Sequence, residues 1–372
     1  MKAFHWSWEP GVWLSAHGCR TPFGDATATR RALADKTVAL KARAIQGSDP
    51  EEDQIPLALI HPMDDQRPSG WERTIASLPD KLPAGEWGTS KRPVIVTSSN
   101  FGIDQLLAYT RDEDARRLAV ALPHTSAERV AELLGWSGPP TLISHACVSS
   151  SLGILQAAQW IRSRVVEEVL VFSFDFVSPF VAAGFASLKI LNRGFPMPYS
   201  DGVIGSIGLG DAVGWVVVSR TPGPFRLIAS ATQNEMHHMT ANEPAGSGFE
   251  GVCDALAADA AGRRLWIKGH GTGTLDAGRL EANAFERCFP GAPLVSWKGS
   301  LGHTLGTCGL VETAVSMSSV EAGEVPGTVG GRAPVFAGTV ALDAFSPNAF
   351  QGFLSFSSAF GGAHVLHLIE HD

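Results

Sequence analysis

Charge is scarce in this 372-residue chain. Asp, Glu, Lys and Arg make up 18% of it, against 44% hydrophobic residues. A large, well-filled core is therefore expected, with little solvated tail or linker. Basic residues are the minority, 29 against 37 acidic ones, for a formal net charge of −8. That balance excludes a broad nucleic-acid surface, which needs a basic face. Docking of a partner must use a local patch and not the field of the whole molecule. Cysteine is sparse too. Cys19, Cys147, Cys253, Cys288 and Cys308 are odd in number, and no two lie close in sequence. This disfavours both a disulfide framework and a zinc cluster, and fits the reducing cytosol. No apolar run approaches the ~18 residues of a membrane span. The opening stretch, MKAFHWSWEPGVWLSAHG, has no apolar core of signal-peptide length. Neither secretion nor a membrane span is expected, and no low-complexity segment interrupts the chain.

What is present is a repeated rhythm. Strand-like runs fall at 12–17, 94–97, 141–143, 168–175 and 211–220, with helix-like segments at 25–36, 70–78, 103–121, 126–134 and 185–191. Residues 45–92 read mainly as loops, broken by Asp49-Pro50, Ile55-Pro56, His61-Pro62 and Arg67-Pro68. Thr221-Pro222-Gly223-Pro224 is the strongest internal boundary. Beyond it strands are expected at 225–232, 264–268, 294–297, 352–357 and 364–370, and helices at 248–261, 278–287 and 310–320. Two consecutive alternating halves, 1–220 and 221–372, imply α/β architecture with mixed sheets covered by helices.

The stretch 141–161, TLISHACVSSSLGILQAAQWI, organises the first half. A short β-prone run meets His145-Ala146-Cys147, and apolar residues then recur at helical spacing: Leu152, Leu155, Ala158, Ile161. This reads as strand, sharp turn and buried helix. Ser149, Ser150 and Ser151 suit a helix start because their oxygens can accept first-turn N–H groups. A thiol there feels the positive end of the helix dipole, so its pKa should fall and its thiolate become the chain's one hyper-reactive nucleophile. A small buried cysteine with no chemistry is the competing reading.

Three further constellations lie in the second half. Gly269-His270-Gly271-Thr272-Gly273-Thr274 frees a histidine at a strand end to face a cleft. Its two threonine hydroxyls fall on one side of an extended segment, where they suit an amide-bearing ligand. A plain strand-to-loop turn would look the same. Lys298-Gly299-Ser300-Leu301-Gly302-His303 repeats the design before a helix holding Glu312 in an apolar, small-residue stretch. A carboxylate there needs either solvent or a partner, and Lys298 is the candidate partner. Ser357-Ser358-Ala359-Phe360-Gly361-Gly362 could present the Phe360 N–H to a ligand, or be a hairpin turn. Cys147 with two histidines fits acyl transfer.

Together these motifs resemble the β-ketoacyl-[acyl-carrier-protein] synthases, condensing enzymes of thiolase-like fold. That family carries Ala-Cys-x-Ser-Ser, Gly/Ala-His-Gly-Thr-x-Thr, Lys-x-x-x-Gly-His, Gly-x-x-Glu and Phe-Gly-Gly. All five occur here, at Cys147, His270, Lys298 to His303, Glu312 and Phe360. Residues 198–214 and His238-Met239-Thr240 agree as well. The chain departs in three places: it is short near 198–202, has Phe172-Ser173-Phe174-Asp175 for Gly-Gly-Ala-Glu, and has Gly278 at an acidic position, with Asp276 displaced.

The resemblance implies two pseudo-duplicated halves forming a five-layered α-β-α-β-α sandwich. Thiolases carry a second cysteine in the late glycine turn, and this turn has none. Synthases that start from acyl-CoA replace the second histidine with asparagine. Chain-length-factor subunits replace the nucleophile. The elongating Cys-His-His type is thus favoured, with a chain-length-factor-like partner of a heterodimeric ketosynthase as the alternative.

The implied reaction is ping-pong. Cys147 takes an acyl chain from acyl carrier protein, with its oxyanion held by the N–H groups of Cys147 and Phe360. Thr272 and Thr274 contact the pantetheine arm of malonyl-carrier protein. His270 and His303 support decarboxylation, ordered by Lys298 and Glu312. No metal or dissociable cofactor is implied, since phosphopantetheine arrives with the carrier. A homodimer or a heterodimer with another ketosynthase is expected. Carrier docking then needs a local basic patch or a partner's surface; two small basic clusters stand out, Arg162 with Arg164 and Arg263 with Arg264, though each could equally be a solvated helix end.

Overall fold

A computed structural model describes residues 2–44, 54–63, 69–188, 194–200, 206–331 and 340–371. The turns expected at Asp49-Pro50 and Arg67-Pro68, residues 201–205 of the 198–214 motif, and 189–191 of the predicted 185–191 helix lie outside these residues. The first half forms β1 (Phe4–Arg20), α1 (Ala26–Ala34), β2 (Lys41–Ala44), β3 (Gln54–Ala58), α2 (Gly70–Ala76), β4 (Val94–Thr97), α3 (Ile103–Asp112), α4 (Ala115–Ala121), α5 (Pro123–Leu134), β5 (Thr141–Ile143), α6 (Ser149–Arg162), β6 (Glu168–Asp175), α7 (Pro179–Ser187), β7 (Leu209–Gly210) and β8 (Ala212–Ser219). The second half forms β9 (Phe225–Asn234), α8 (Ser247–Ala260), β10 (Leu265–Lys268), α9 (Leu275–Cys288), β11 (Leu294–Val295), α10 (Lys298–Leu301), α11 (Cys308–Glu321), β12 (Gly352–Ala359) and β13 (Ala363–His371).

The two halves share one topology. Ten strands run in the order β11-β10-β12-β13-β9-β1-β8-β6-β4-β5. Read outward from the middle, the first half is β1-β8-β6-β4-β5 and the second β9-β13-β12-β10-β11. Each half thus uses its first, fifth, fourth, second and third main strand. Each also has two antiparallel pairings followed by two parallel ones. The long β1 joins them: Phe4–Ser7 and Val12–Leu14 pair with β9, and Trp13–Arg20 pair with β8.

Side-chain alternation builds the layers, because successive strand residues point to opposite faces. On β6, Val169 and Val171 enter a central core, while Leu170, Phe172 and Phe174 enter an outer one. On β8, Val216 and Val218 go inward, and Val213, Trp215 and Val217 outward. β12 does the same with Phe353 against Leu354 and Phe356. Both faces are covered, so these strands read as near-continuous apolar runs. α6 and α11 pack on each other in the shared central layer, α2 and α5 cover one outer face, and α8 and α9 the other. This is the five-layered sandwich the resemblance implied. The Phe172 and Phe174 departures are core residues: Phe172 meets Trp136 at 5.6 Å and Phe174 stacks on Trp71 at 5.2 Å.

Some expectations need correction. The helix placed at 185–191 is α7, which starts earlier. Ser178 accepts the Val181 N–H and Pro179 occupies the first turn, a helix-start pair that the apolar count overlooked. The predicted helix 103–121 is two helices, broken where Glu113 turns left-handed at φ 54°. The 45–92 segment contributes β3, which with β2 and β7 forms a separate small sheet.

Candidate active site

Chain reversal between β5 and α6 is tight enough to force Ala146 to φ +43°, a left-handed value that costs a non-glycine residue free energy. Ser149 Oγ holds the turn: it accepts the His145 N–H at 2.8 Å and donates to the Ala146 carbonyl at 2.7 Å. The serines therefore do not cap the helix as expected. Val148 is the cap residue and offers no side-chain bond. Ser150 Oγ accepts the Leu310 N–H at 3.1 Å, and Ser151 Oγ donates to Ser357 Oγ at 2.9 Å. They fasten α6 to α11 and β12. Glycine is required at this crossing, since a Cβ on Gly309 would stand 2.1 Å from Ser151 Oγ.

Cys147 is buried, and this overturns the expected low pKa. Burial pushes its thiol well above the ordinary value, with Cys308 and Asp175 adding to the rise. Lys298 and the Phe360 backbone N–H, which bonds to the sulfur, oppose it. A helix start favours the thiolate by at most ~2 kcal/mol, whereas desolvation of a fully enclosed thiol is larger.

The histidines approach from the second half. β10 delivers His270 and the segment after α10 delivers His303. Their rings meet edge to face, with centroids 5.0 Å apart. Burial, then the Lys298 charge, holds both far below the usual imidazole range, so both are neutral at pH 7. The Nδ1 atom of each is buried with no hydrogen-bond partner among the described residues. Glu281 on α9 fixes the His270 turn. Its carboxylate accepts the His270 N–H at 2.5 Å, the Gly271 N–H at 3.0 Å and the Tyr199 hydroxyl at 2.7 Å. Lys298 Nζ lies 2.5 Å from Glu312 Oε1, and Lys268 Nζ bonds to Glu312 Oε2. Burial pulls Lys298 down, but Glu312 carries it above the usual lysine range.

Cys147, His270, His303, Thr272, Thr274 and Phe360 line one cleft of about 540 Å³. The Thr272 and Thr274 hydroxyls lie 3.2 Å apart, on one side as expected. Lys298 and Glu312 sit outside the lining, in contact with each other. Phe360 packs on Phe185 at 5.7 Å. At the rim stand Asp276 and Arg279, loosely paired at 3.8 Å. The two basic clusters chosen from sequence are elsewhere. Arg162 ends α6, roughly 20 Å of helix away from the Cys147 end. Arg263 and Arg264 precede β10, whereas the cleft lies beyond its far end. Sequence reasoning missed Lys268, Glu281, Asp175 and Cys308. Asp175, on β6, accepts from the Ser98 hydroxyl at 2.7 Å and from the Ser99 and Asn100 N–H groups at 3.1 Å. Among the described residues no group of three or more side chains could hold a metal ion, and no helix is long and apolar enough to cross a membrane.

The duplicated sandwich with a cysteine turn facing two histidine loops defines a thiolase-like condensing-enzyme architecture. The family models described as Beta-ketoacyl synthase, N-terminal domain and C-terminal domain match residues 19–222 and 226–332, and the chain belongs to the beta-ketoacyl synthase family. It is 29% identical over 238 residues to the Tetracenomycin polyketide synthase ketoacyl synthase alpha subunit of Streptomyces glaucescens, covering 57% of this chain and 55% of that one. It is 28% identical over 242 residues to Nodulation protein E of Rhizobium sp. (strain N33), covering 59% of each. The matches thus span little more than half the length of these curated relatives. Among solved structures it resembles a beta-ketoacyl synthase from Burkholderia phymatum STM815, with TM-score 0.81, 19% identity and 100% of both chains covered. It also resembles a chain of a ketosynthase in complex with its chain length factor from Xenorhabdus doucetiae, with TM-score 0.80, 21% identity, and 97% of this chain and 98% of that chain covered.

Proposed function

We propose that the chain is an elongating 3-oxoacyl-[acyl-carrier-protein] synthase of type II fatty acid or polyketide synthesis, acting in the cytosol. The observation that carries this reading is the convergence of Cys147, His270, His303 and Phe360 on one cleft. Cys147 attacks the thioester carbonyl of an acyl-carrier protein. A new C–S bond forms and the phosphopantetheine thiol leaves. The Phe360 and Cys147 N–H groups hold the oxyanion, a strongly favourable arrangement in a water-poor site. The high resting pKa of Cys147 means that the thiolate forms in small amount, its proton passing by way of His270 to the departing phosphopantetheine thiol, which leaves the imidazole neutral again.

Malonyl-carrier protein then enters, its arm alongside Thr272 and Thr274. Decarboxylation releases carbon dioxide and leaves the bonding pair as an enolate. His270 and His303, as neutral N–H donors, stabilise it, and Lys298 with Glu312 keeps them in place. The enolate carbon attacks the Cys147 thioester, and the 3-oxoacyl product leaves on the carrier as the Cys147 thiolate re-forms. No metal or dissociable cofactor takes part. We take 1–220 as the unit bearing the nucleophile and 221–372 as the unit bearing both histidines.

Acyl carrier protein and a second ketosynthase-fold subunit, identical or not, are the proposed partners. β5 ends the large sheet, which leaves an edge for such a subunit. A chain-length-factor-like role is the second reading. It draws on the likeness to a complex of that kind, and the presence of Cys147 argues against it. Intact-protein mass after incubation with acyl-carrier protein tests the proposal. A gain of one acyl group, lost in Cys147→Ala, is expected. His303→Ala should keep acylation and lose malonyl decarboxylation. No acylation alone or with any candidate partner would overturn it.

A further inference from the structure

Lys268 is the last residue of β10 and is completely buried. Strand alternation places it on the same face as Trp266, which enters the central core, and opposite Leu265 and Ile267, which enter the outer one. Its ammonium bonds to Glu312 Oε2 and to the Phe356 carbonyl at 3.0 Å. Lys298 already occupies the other oxygen of Glu312. One carboxylate therefore joins two lysines, and each lysine lies just upstream of one site histidine: Lys268 two residues before His270, Lys298 five before His303. Two ammonium groups share the Glu312 carboxylate, and Glu281 is the next buried carboxylate, near enough to act on Lys298. Burial pulls the Lys268 ammonium below the usual lysine range, with Glu312 opposing that and the Lys298 charge adding to it.

We propose that Lys268 is a positioning residue for the histidine pair: through the second oxygen of Glu312 it clips the His270 strand to the segment carrying His303, and it adds a positive charge beside that already placed there by Lys298. The inference rests on the condensing reading above and assigns a role to a residue outside the cleft lining. The charged and titratable groups that act on the two rings are Lys298, Lys268 and His364, with Glu312 and Cys308 against the lysines, Glu281 behind the His270 turn, and Cys147, His237, Asp276 and Arg279 in the shared cleft lining. Burial is the main cause that holds both imidazoles down, and Lys298 and Lys268 both add to it. The sign follows. Removing a positive charge makes imidazolium easier to form, so each ring protonates at higher pH. If neutral rings serve decarboxylation, its acidic limb must move upward.

The test compares wild type with Lys268→Met, which removes charge and hydrogen bonds, and Lys268→Gln, which keeps a polar reach without charge. Folding is checked by circular dichroism and melting, so that Lys268→Gln carries the test if Lys268→Met fails to fold. Decarboxylation of malonyl-carrier protein should fall about tenfold or more, the loss being greater than that in Cys147 acylation. The acidic limb of its pH profile should rise by about one unit. A folded variant whose limb does not move, or which loses both half-reactions equally, overturns the proposal. If the wild-type chain decarboxylates nothing, the condensing reading has failed and the charge argument is still decided by NMR. His270 and His303 ring signals, titrated in wild type and Lys268→Gln, should then show protonation about one unit higher in the variant, and unchanged midpoints would overturn it.

Discussion

The Cys308 thiol donates to the backbone carbonyl of Cys147 across 3.3 Å, although the two residues lie 161 positions apart. This contact sets the head of α11 against the nucleophile turn and puts two thiols in one small apolar cluster with Val148, Ala359 and Val365. Burial pushes Cys308 up to about 11, and Cys308 is itself among the groups that push Cys147 up. Both sulfurs are therefore protonated at rest near neutral pH. In the proposed reaction, nucleophilicity therefore has to come from proton removal and not from a standing thiolate.

Thiol labelling should reflect this. Cys288 is the only half-exposed cysteine and the other four are buried. A small soluble electrophile such as iodoacetamide should meet Cys288 first at pH 7, which replaces the expectation of a single hyper-reactive Cys147. Modification of Cys147 should keep rising with pH, by up to about tenfold per unit, because the thiolate fraction grows below the pKa. Peptide mapping across pH 6.5 to 9.5 checks this, and a Cys147 plateau already reached below pH 7.5 would contradict the burial argument. An acyl-like epoxide such as cerulenin, which can enter the cleft, should reverse the preference towards Cys147.

Glu281 carries the His270 turn, and its removal orphans three donors: the His270 and Gly271 N–H groups and the Tyr199 hydroxyl. Buried donors without partners cost about 1–3 kcal/mol each. Glu281→Ala should destabilise the protein by roughly 2–5 kcal/mol in urea unfolding and sharply reduce decarboxylation. Tyr199→Phe removes one donor together with its need, so a loss of only about 1 kcal/mol is expected. Equal losses for the two variants would show that the carboxylate is not the organising group.

Much of this site was legible because its chemistry sits at strand ends, with glycine beside His270, His303 and Phe360. Such patterns are local, and 168–175 was likewise read with its observed limits because both faces of that strand are apolar. The missed residues share a different property. Lys268, Asp175 and Cys308 act through partners distant in sequence, 44 residues for Lys268 and Glu312, Glu281 acts on backbone N–H groups that no side-chain pattern marks, and a polar residue within a strand or helix shows no sign of burial. The Cys147 pKa failed for a related reason. The helix dipole can be read from neighbouring residues, but desolvation depends on what the second half lays over the turn. Ser149 to Ser151 misled because serine serves equally as a helix cap and as a buried fastener between helices.

Carrier docking should depend on Arg279. It stands at the cleft rim, 48% exposed at its side chain and only loosely paired with Asp276, in a chain whose net charge of −8 repels an acidic partner. Arg279→Glu should raise the KM for acyl-carrier protein by about tenfold at low salt, with the deficit shrinking as salt is added. Acylation by a small N-acetylcysteamine thioester, which makes no rim contact, should change little. Arg162→Glu and Arg263→Glu, at the other end of the molecule, should leave both values alone. Loss of carrier-dependent rate in either of those, with none in Arg279→Glu, would move the docking face away from the rim.

Asp175 gives the last prediction, a pH dependence of stability. Burial is the largest influence on its carboxyl and lifts it to about 6, against the pull of the Ser98, Ser99 and Asn100 hydrogen bonds. The unfolded chain releases this proton near the ordinary aspartate value of about 3.9. Between those two values the folded protein holds the proton more tightly than the unfolded one. Stability from this group is thus complete below about pH 4, declines as pH rises, and is gone above about pH 6 to 7. Its full amplitude is roughly 2–3 kcal/mol. Asp175→Asn keeps an oxygen for the same donors and cannot titrate. The measurement is the difference in urea-unfolding free energy, wild type minus Asp175→Asn, at half-unit steps from pH 4 to 7.5. It should fall steadily with pH and flatten at the top of the range. A difference that rises with pH would mean that the hydrogen bonds from the Ser98–Asn100 loop outweigh burial, and that Asp175 is an ordinary low-pKa anchor.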